Sequence, residues 1–218
     1  MRPTEAGPLG LFGGTFDPIH SGHLRLAEEA HEQLGLAAVR LIPAGQPPHR
    51  DVPGALAADR LAMARLAVAD NPAFEVDPAE VLAAQPSYTI LTLERVRAEV
   101  GPERPLVLLL GVDAFLGLPT WRRWTELFDL AHVAVANRPG YTLDESRLSD
   151  ELRRHVEQRR AAPEALNKAA AGKIASFSMT PLAISATDIR SRAANGQSLR
   201  YLLPPPVLDY ISRHQLYS

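Results

Sequence analysis

The chain of 218 residues contains no cysteine, which excludes disulfides and a thiolate nucleophile. It has no apolar run approaching the length of a membrane-spanning helix, and the stretch from Met1 to Pro8 lacks the apolar segment of a signal peptide. No membrane association and a cytoplasmic location are therefore expected. No charge of either sign dominates: 23 Lys and Arg stand against 25 Asp and Glu, spread along the chain instead of massed in a tail. A polybasic surface for a nucleic-acid polymer is thereby excluded, while a small phosphate site needing only a few local donors is not. Internal repeats and low-complexity tracts are missing too. What is present is a 46% hydrophobic composition over a length suited to one sizeable core, so a single domain over residues 1–218 is expected. The pattern does not distinguish a monomer from a homo-oligomer.

The densest chemistry lies between Gly13 and His23, where Gly-Gly-Thr-Phe-Asp-Pro-Ile-His-Ser-Gly-His follows the apolar run from Leu9 to Phe12. A buried strand that runs through glycines into a helix is the layout of a phosphate-handling turn in an open α/β sheet. His20 and His23, three apart, share the first turn of that helix, where backbone N–H groups and the helix dipole already favour an anion. Imidazoles there add donors to the same phosphate. A His-x-x-His pair can also be half of a metal site, completed by Asp17 or His31, but zinc usually takes three protein ligands and these candidates fall at no recurring spacing, so the phosphate reading is preferred.

The rest of the chain alternates between strand and helix patterns. A helix is expected from Ser21 to Leu34, a strand at Val39 to Ile42 closed by Pro43, a loop from Pro43 to Arg50, a helix from Ala57 to Ala69 and a short strand at Phe74 to Val76. Tyr88 to Val100 reads as an amphipathic helix. Leu106 to Leu110, ending in Gly111, and His132 to Ala136 read as central strands buried on both faces. The charged, helix-prone stretch from Leu143 to Lys173 is expected to be a peripheral insertion or a mobile surface helix. Ile174 to Phe177 is the last strand. Ser185 or Thr187 suits an N-cap for a helix starting near Asp188, and Val207 to His214 follows three prolines as a closing helix. Strands alternating with helices imply βαβ units and a mostly parallel sheet, with ligands at the carboxyl ends of the strands.

The first stretch and a later one, Ile184-Ser185-Ala186-Thr187-Asp188-Ile189-Arg190, resemble the two signatures of the nucleotidyltransferase superfamily. Between them stand Pro47-Pro48-His49-Arg50, Pro86-Ser87-Tyr88-Thr89, Gly111-Val112-Asp113, Pro119-Thr120-Trp121 and Arg138-Pro139-Gly140-Tyr141, and in this order the whole set resembles the bacterial nicotinate-nucleotide adenylyltransferases. The resemblance implies a Rossmann-like, doubly wound, mostly parallel sheet with helices on both faces over about residues 1–180. A small C-terminal helical region over about 181–218 would carry the second signature. It implies attack by the phosphate of nicotinate mononucleotide on the α-phosphorus of ATP, giving deamido-NAD and pyrophosphate, with Mg2+ brought by ATP and no dedicated protein ligands for it.

By the same resemblance His20, His23 and Arg190 are the catalytic groups. Gly13, Gly14, Thr15, Phe16, Gly111, Asp113, Ser185, Thr187 and Ile189 join them around ATP. Nicotinate mononucleotide would meet Thr15, Phe16, His49, Arg50, Tyr88, Thr89, Trp121 and Arg122. Trp121 would stack on the pyridine ring, and the backbone N–H groups of Trp121 and Arg122 would bind the carboxylate. Arg50 stands where the family often has lysine, which keeps the charge and changes its geometry. Trp124 is read as structural, and the bland alternative for Asp113 is a helix cap. Three rivals remain: the same fold with nicotinamide mononucleotide or phosphopantetheine as acceptor, a metal-dependent hydrolase built on His20, His23 and Asp17, and a nucleotide-binding module without activity.

Overall fold

A computed structural model describes residues 7–46, 53–137 and 144–218. His49, Arg50 and the motif from Arg138 to Tyr141 lie outside them. Six strands form one parallel sheet: β1 (Leu9–Gly14), β2 (Ala38–Pro43), β3 (Phe74–Val76), β4 (Leu106–Gly111), β5 (His132–Asn137) and β6 (Ile174–Ser178), in the order β3-β2-β1-β4-β5-β6. The order reverses direction after β3, which places β1 and β4 at the centre, where a doubly wound sheet binds its ligands. Among the described residues no helix is long and apolar enough to cross a membrane.

The helices are α1 (Ser21–Leu34), α2 (Ala57–Val68), α3 (Ala79–Leu82), α4 (Thr89–Val100), α5 (Val112–Leu116), α6 (Leu127–Leu130), α7 (Asp150–Arg159), α8 (Ala186–Ala194) and α9 (Pro205–Arg213). Two compact units interleave along the chain. One comprises 1–12, 27–39 and 88–181; the other comprises 13–26, 40–87 and 182–218.

In the first unit, Leu106 to Leu110 are all buried, as are Val133 to Ala136, so β4 and β5 carry apolar side chains on both faces. Each fully buried aliphatic side chain there contributes about 1.5–3 kcal/mol. They pair in parallel with Val107 opposite His132 and Gly111 opposite Ala136, and β5 pairs onward with Val133 opposite Ile174. His132, fully buried, is accommodated because both ring nitrogens are paired: Nε2 lies 2.8 Å from the Ala169 carbonyl and Nδ1 accepts the Lys173 N–H at 3.0 Å. Buried Glu29 accepts both the Thr180 N–H (2.7 Å) and its hydroxyl (2.6 Å), anchoring the chain just beyond β6.

The described part of the stretch expected to be peripheral or mobile, residues 144–173, is anchored instead. α7 buries Leu152 and Val156, the following 3-10 turn buries Leu166, and Ser149 caps α7 by accepting the Leu152 N–H. Its many charges conceal a narrow apolar stripe.

In the second unit, α8 starts two residues earlier than expected, and Ser185, not Thr187, is its cap: Ser185 Oγ accepts the Asp188 N–H at 3.1 Å. Beyond its last residue, Ala194, and the C-cap Asn195 stands Gly196, whose φ of +64° suits glycine. α9 also starts two residues early, because proline is favoured in a first turn, where its missing N–H would have no intrahelical partner.

Candidate active site

In the second unit the strand-to-helix turn is built around Phe16. Its φ of +50° and near-complete burial place the ring beneath Gly14, where an added Cβ would come within 2.8 Å of Phe16 Cε1. Glycine is required there by close approach. At Gly13 a Cβ would meet nothing within 4 Å, so the end of β1 opens onto free space. Phe16, expected against the substrates, is 2% exposed, and its ring supports His23 edge-on with ring centroids 5.1 Å apart.

His20 stands at the N-cap of α1 and His23 three residues on. His23 Nδ1 accepts the His20 backbone N–H at 3.2 Å, as the third helical residue does in a capping box. Because Nδ1 is the acceptor, the proton of the neutral His23 ring sits on Nε2, which makes Nε2 a donor. The two rings stack at 3.7 Å with 23° between their planes. Ser21 N–H is taken by the Leu202 carbonyl at 3.0 Å, so this amide of the first turn is not available to an anion in this arrangement.

Arg190, on α8, reaches the same turn. Its Nη1 donates to the Asp17 backbone carbonyl at 2.8 Å and lies 3.6 Å from Asp17 Oδ2, while Nη2 lies 3.4 Å from Thr187 Oγ1. Late arginine and early histidines are thus tied to one eleven-residue motif. The Asp17 carboxylate is already held by Gly54 N–H (2.7 Å), Ala55 N–H (3.1 Å) and Tyr217 OH (2.7 Å). This runs against the metal-hydrolase reading, in which Asp17 would turn toward the imidazoles. Among the described residues no three His, Asp or Glu side chains are grouped to hold a metal ion. Ser185 Oγ serves the helix cap, and Ile189 is fully buried with its N–H donating to the Ser185 carbonyl. Ile189 therefore anchors α8 through its side chain.

His20 is 6% exposed and burial pushes its imidazole down to about 4, with the hydrogen-bonded backbone opposing that shift. It is neutral at pH 7, and its buried Nδ1 has no hydrogen-bond partner. An orphaned buried polar atom costs about 1–3 kcal/mol, which a hydrogen-bonding ligand would recover. A pH dependence of stability follows. As pH falls below the unfolded value of 6.5, the unfolded chain takes the proton first, so stability is complete above 6.5 and is lost toward about 4. The loss amounts to about 3 kcal/mol. Denaturant unfolding at about pH 7.5 and about pH 4.5 should show a steeper loss in the wild type than in His20→Ala; equal slopes would contradict the neutral assignment.

The remaining candidates lie in the first unit. Gly111 closes β4 with open space where a Cβ would stand. Asp113 makes no cap: it sits in the first turn of α5 with its side chain 98% exposed, 3.8 Å from Arg147 Nη2. The Arg122 guanidinium lies over the half-buried Tyr88 ring, 4.9 Å from its centroid, and Thr89 opens α4 beside it. Trp121 is half-buried at the end of the 3-10 turn Leu118–Thr120, and its N–H donates to the Leu118 carbonyl at 2.9 Å. That amide, expected to bind a carboxylate, is committed within the turn. Trp124 is buried against Phe128 and His155, as its structural reading requires.

Sequence reasoning missed Arg60. It is 1% exposed and donates to four carbonyls, of Thr15 (2.6 Å), Ala44 (2.6 Å), Gly45 (3.0 Å) and Ala55 (3.3 Å). A helical arginine followed by apolar residues gives no signal of this. Tyr217 was missed because its partner, Asp17, lies 200 residues away in sequence.

The sequence pattern of the cytidylyltransferase-like family matches residues 11–192. The chain is 59% identical, over 96% of its length and 97% of the relative's, to a protein of Dechloromonas aromatica (strain RCB) named "Probable nicotinate-nucleotide adenylyltransferase". It is 46% identical to a protein of the same name from Cellvibrio japonicus (strain Ueda107), over the full length of both. The fold matches a Plasmodium falciparum nicotinic acid mononucleotide adenylyltransferase solved with NaAD, with TM-score 0.72, 15% identity and 97% of each chain covered. The chain belongs to the cytidylyltransferase-like family and, within it, to the nicotinate-nucleotide adenylyltransferases.

Proposed function

We propose that the chain transfers the adenylyl group of ATP to nicotinate mononucleotide: the mononucleotide phosphate oxygen bonds to the α-phosphorus, the bond from that phosphorus to the β-phosphate breaks, and pyrophosphate leaves. The observation that carries this reading is the stacked His20–His23 pair at the start of α1, with Arg190 tethered to the same turn through the Asp17 carbonyl.

The attacking oxygen is already anionic, so no base is required. Catalysis then rests on aligning two anions and on donors placed where charge accumulates. His23, with Nε2 as donor, suits the α-phosphate. Neutral His20 supplies hydrogen bonding instead of charge. Arg190 suits the β- and γ-phosphates, for which a planar fork of donors gives bidentate contact. Mg2+ would arrive on the ATP oxygens and supply charge neutralisation there.

For the acceptor, Trp121 offers a half-buried ring for the pyridine, and Arg122 stands beside it to meet the carboxylate. With the Trp121 amide committed to Leu118, the carboxylate contact falls to Arg122. An amide in place of the carboxylate leaves a donor facing a donor, which costs about 1–3 kcal/mol and gives about 10- to 100-fold discrimination. Turnover with nicotinate mononucleotide, nicotinamide mononucleotide and phosphopantetheine in parallel, at equal ATP and Mg2+, should favour the first by that margin. Preference for either rival overturns the assignment, and ATP binding without pyrophosphate release overturns the activity. Trp121→Ala should raise KM for the mononucleotide by about 3- to 10-fold with a smaller change in kcat. An unchanged KM would remove the ring from the pocket.

A further inference from the structure

The Asp17 carboxylate is 5% exposed and accepts three hydrogen bonds from two separate parts of the chain's second unit. Oδ2 accepts the Gly54 N–H, Oδ1 accepts the Ala55 N–H, and Oδ1 also accepts the Tyr217 hydroxyl at 2.7 Å across 200 residues of sequence. The loop and the ring crowd together: a Cβ on Gly54 would stand 3.2 Å from Arg190 Cδ and 3.2 Å from Tyr217 Cε1. Tyr217 itself takes φ +66° and Gln215 φ +50°, sparsely populated conformations for residues with side chains. Before them α9 is fixed to α2 by the Tyr210 hydroxyl, which donates to Asp59 Oδ1 at 2.9 Å. The chain thus turns back, at a conformational cost, to bring one hydroxyl to one carboxylate oxygen. Burial and Asp17 both raise the Tyr217 phenol above its ordinary range, so it remains a donor.

Beside this carboxylate sits Arg190. It does not form a close pair with Asp17: Nη1 takes the backbone carbonyl at 2.8 Å and stays 3.6 Å from Oδ2. With both oxygens turned to other donors, the negative charge holds the guanidinium nearby without closing a bidentate pair that would withdraw it from a ligand.

We propose that Tyr217 is a positioning residue for Arg190, acting through Asp17: its hydroxyl fixes the carboxylate so that Arg190 is presented to the ATP triphosphate instead of being captured by Asp17. This rests on the assignment of Arg190 to the β- and γ-phosphates. Without the hydroxyl, the charged Asp17 Oδ1 loses the short hydrogen bond that Tyr217 donates to it, and the carboxylate's freed capacity turns to the nearby cation, Arg190.

The test is a double-mutant cycle of Tyr217→Phe in the wild-type and Arg190→Ala backgrounds, reading kcat/KM for ATP, KM for nicotinate mononucleotide and thermal stability. Tyr217→Phe keeps the ring and the backbone. Its expected effect is about a tenfold loss in kcat/KM for ATP in the wild type, less than about twofold in Arg190→Ala, with KM for the mononucleotide unchanged. Equal losses in both backgrounds, or none in the wild type, would overturn the proposal. If Arg190→Ala alone leaves kcat/KM for ATP unchanged, the phosphate role of Arg190 fails, which is a distinct result. Should Tyr217→Phe not fold, Tyr217→Leu, which also removes the hydroxyl, carries the same cycle, with the same background-dependent loss expected and equal losses in both backgrounds contradicting it.

Discussion

Replacing His23 with alanine is expected to lower kcat by about 100- to 1000-fold while changing KM for ATP by no more than about threefold. The reason lies in where the ring is held. Nδ1 is tied to the His20 amide, Phe16 meets the ring edge-on and His20 stacks on its face, so the Nε2–H direction is fixed before any ligand arrives. A pre-oriented donor costs no reorganisation when charge grows on the α-phosphate oxygens, and its contribution is therefore largest in the transition state. Steady-state kinetics at saturating nicotinate mononucleotide, with ATP varied, reads both parameters. A near-normal kcat would remove His23 from the reaction.

The second large effect concerns stability. Arg60→Leu should destabilise the protein by at least about 4 kcal/mol, a drop in Tm of roughly 10 °C for a chain of this size. The side chain is buried and donates to the carbonyls of Thr15, Ala44, Gly45 and Ala55; leucine matches its apolar stem and satisfies none of them. Burial lowers the Arg60 pKa, and Asp17 and Tyr217 oppose that shift, so the guanidinium and the Asp17 carboxylate belong to one buried charge arrangement. Removing the cation leaves the anion with less compensation. Because Thr15 lies between Gly14 and Phe16, the same variant should also lower activity in whatever fraction remains folded. Calorimetry showing a Tm within about 2 °C of the wild type would contradict this account.

The contrast between these residues shows what the sequence made legible. α1 spans Ser21–Leu34 as its pattern indicates, and β4 and β5 appear where unbroken apolar runs end in Gly111 and Asn137, because burial on both faces leaves a local signature. The motif from Gly13 to His23 was readable for the same reason: its chemistry is contiguous. α3, α5 and α6 were not, since four or five residues are too few to establish a helical period. The burial of the Phe16 ring under Gly14 was not legible, since sequence gives no measure of burial. The apolar stripe of α7, only Leu152 and Val156, is hidden among charges. The Asp17 arrangement joins residues separated by 37, 173 and 200 positions, and no periodicity spans such distances.

All of the catalytic reasoning depends on one triphosphate engaging the imidazole pair and Arg190 together. A crystal structure with a non-hydrolysable ATP analogue and Mg2+ tests this most directly. The expected result is phosphate oxygens within hydrogen-bonding distance of His23 Nε2, of a His20 ring nitrogen and of the Arg190 guanidinium, with Tyr217 still on Asp17. A triphosphate bound away from α1, with Arg190 closed onto the Asp17 carboxylate, would contradict it.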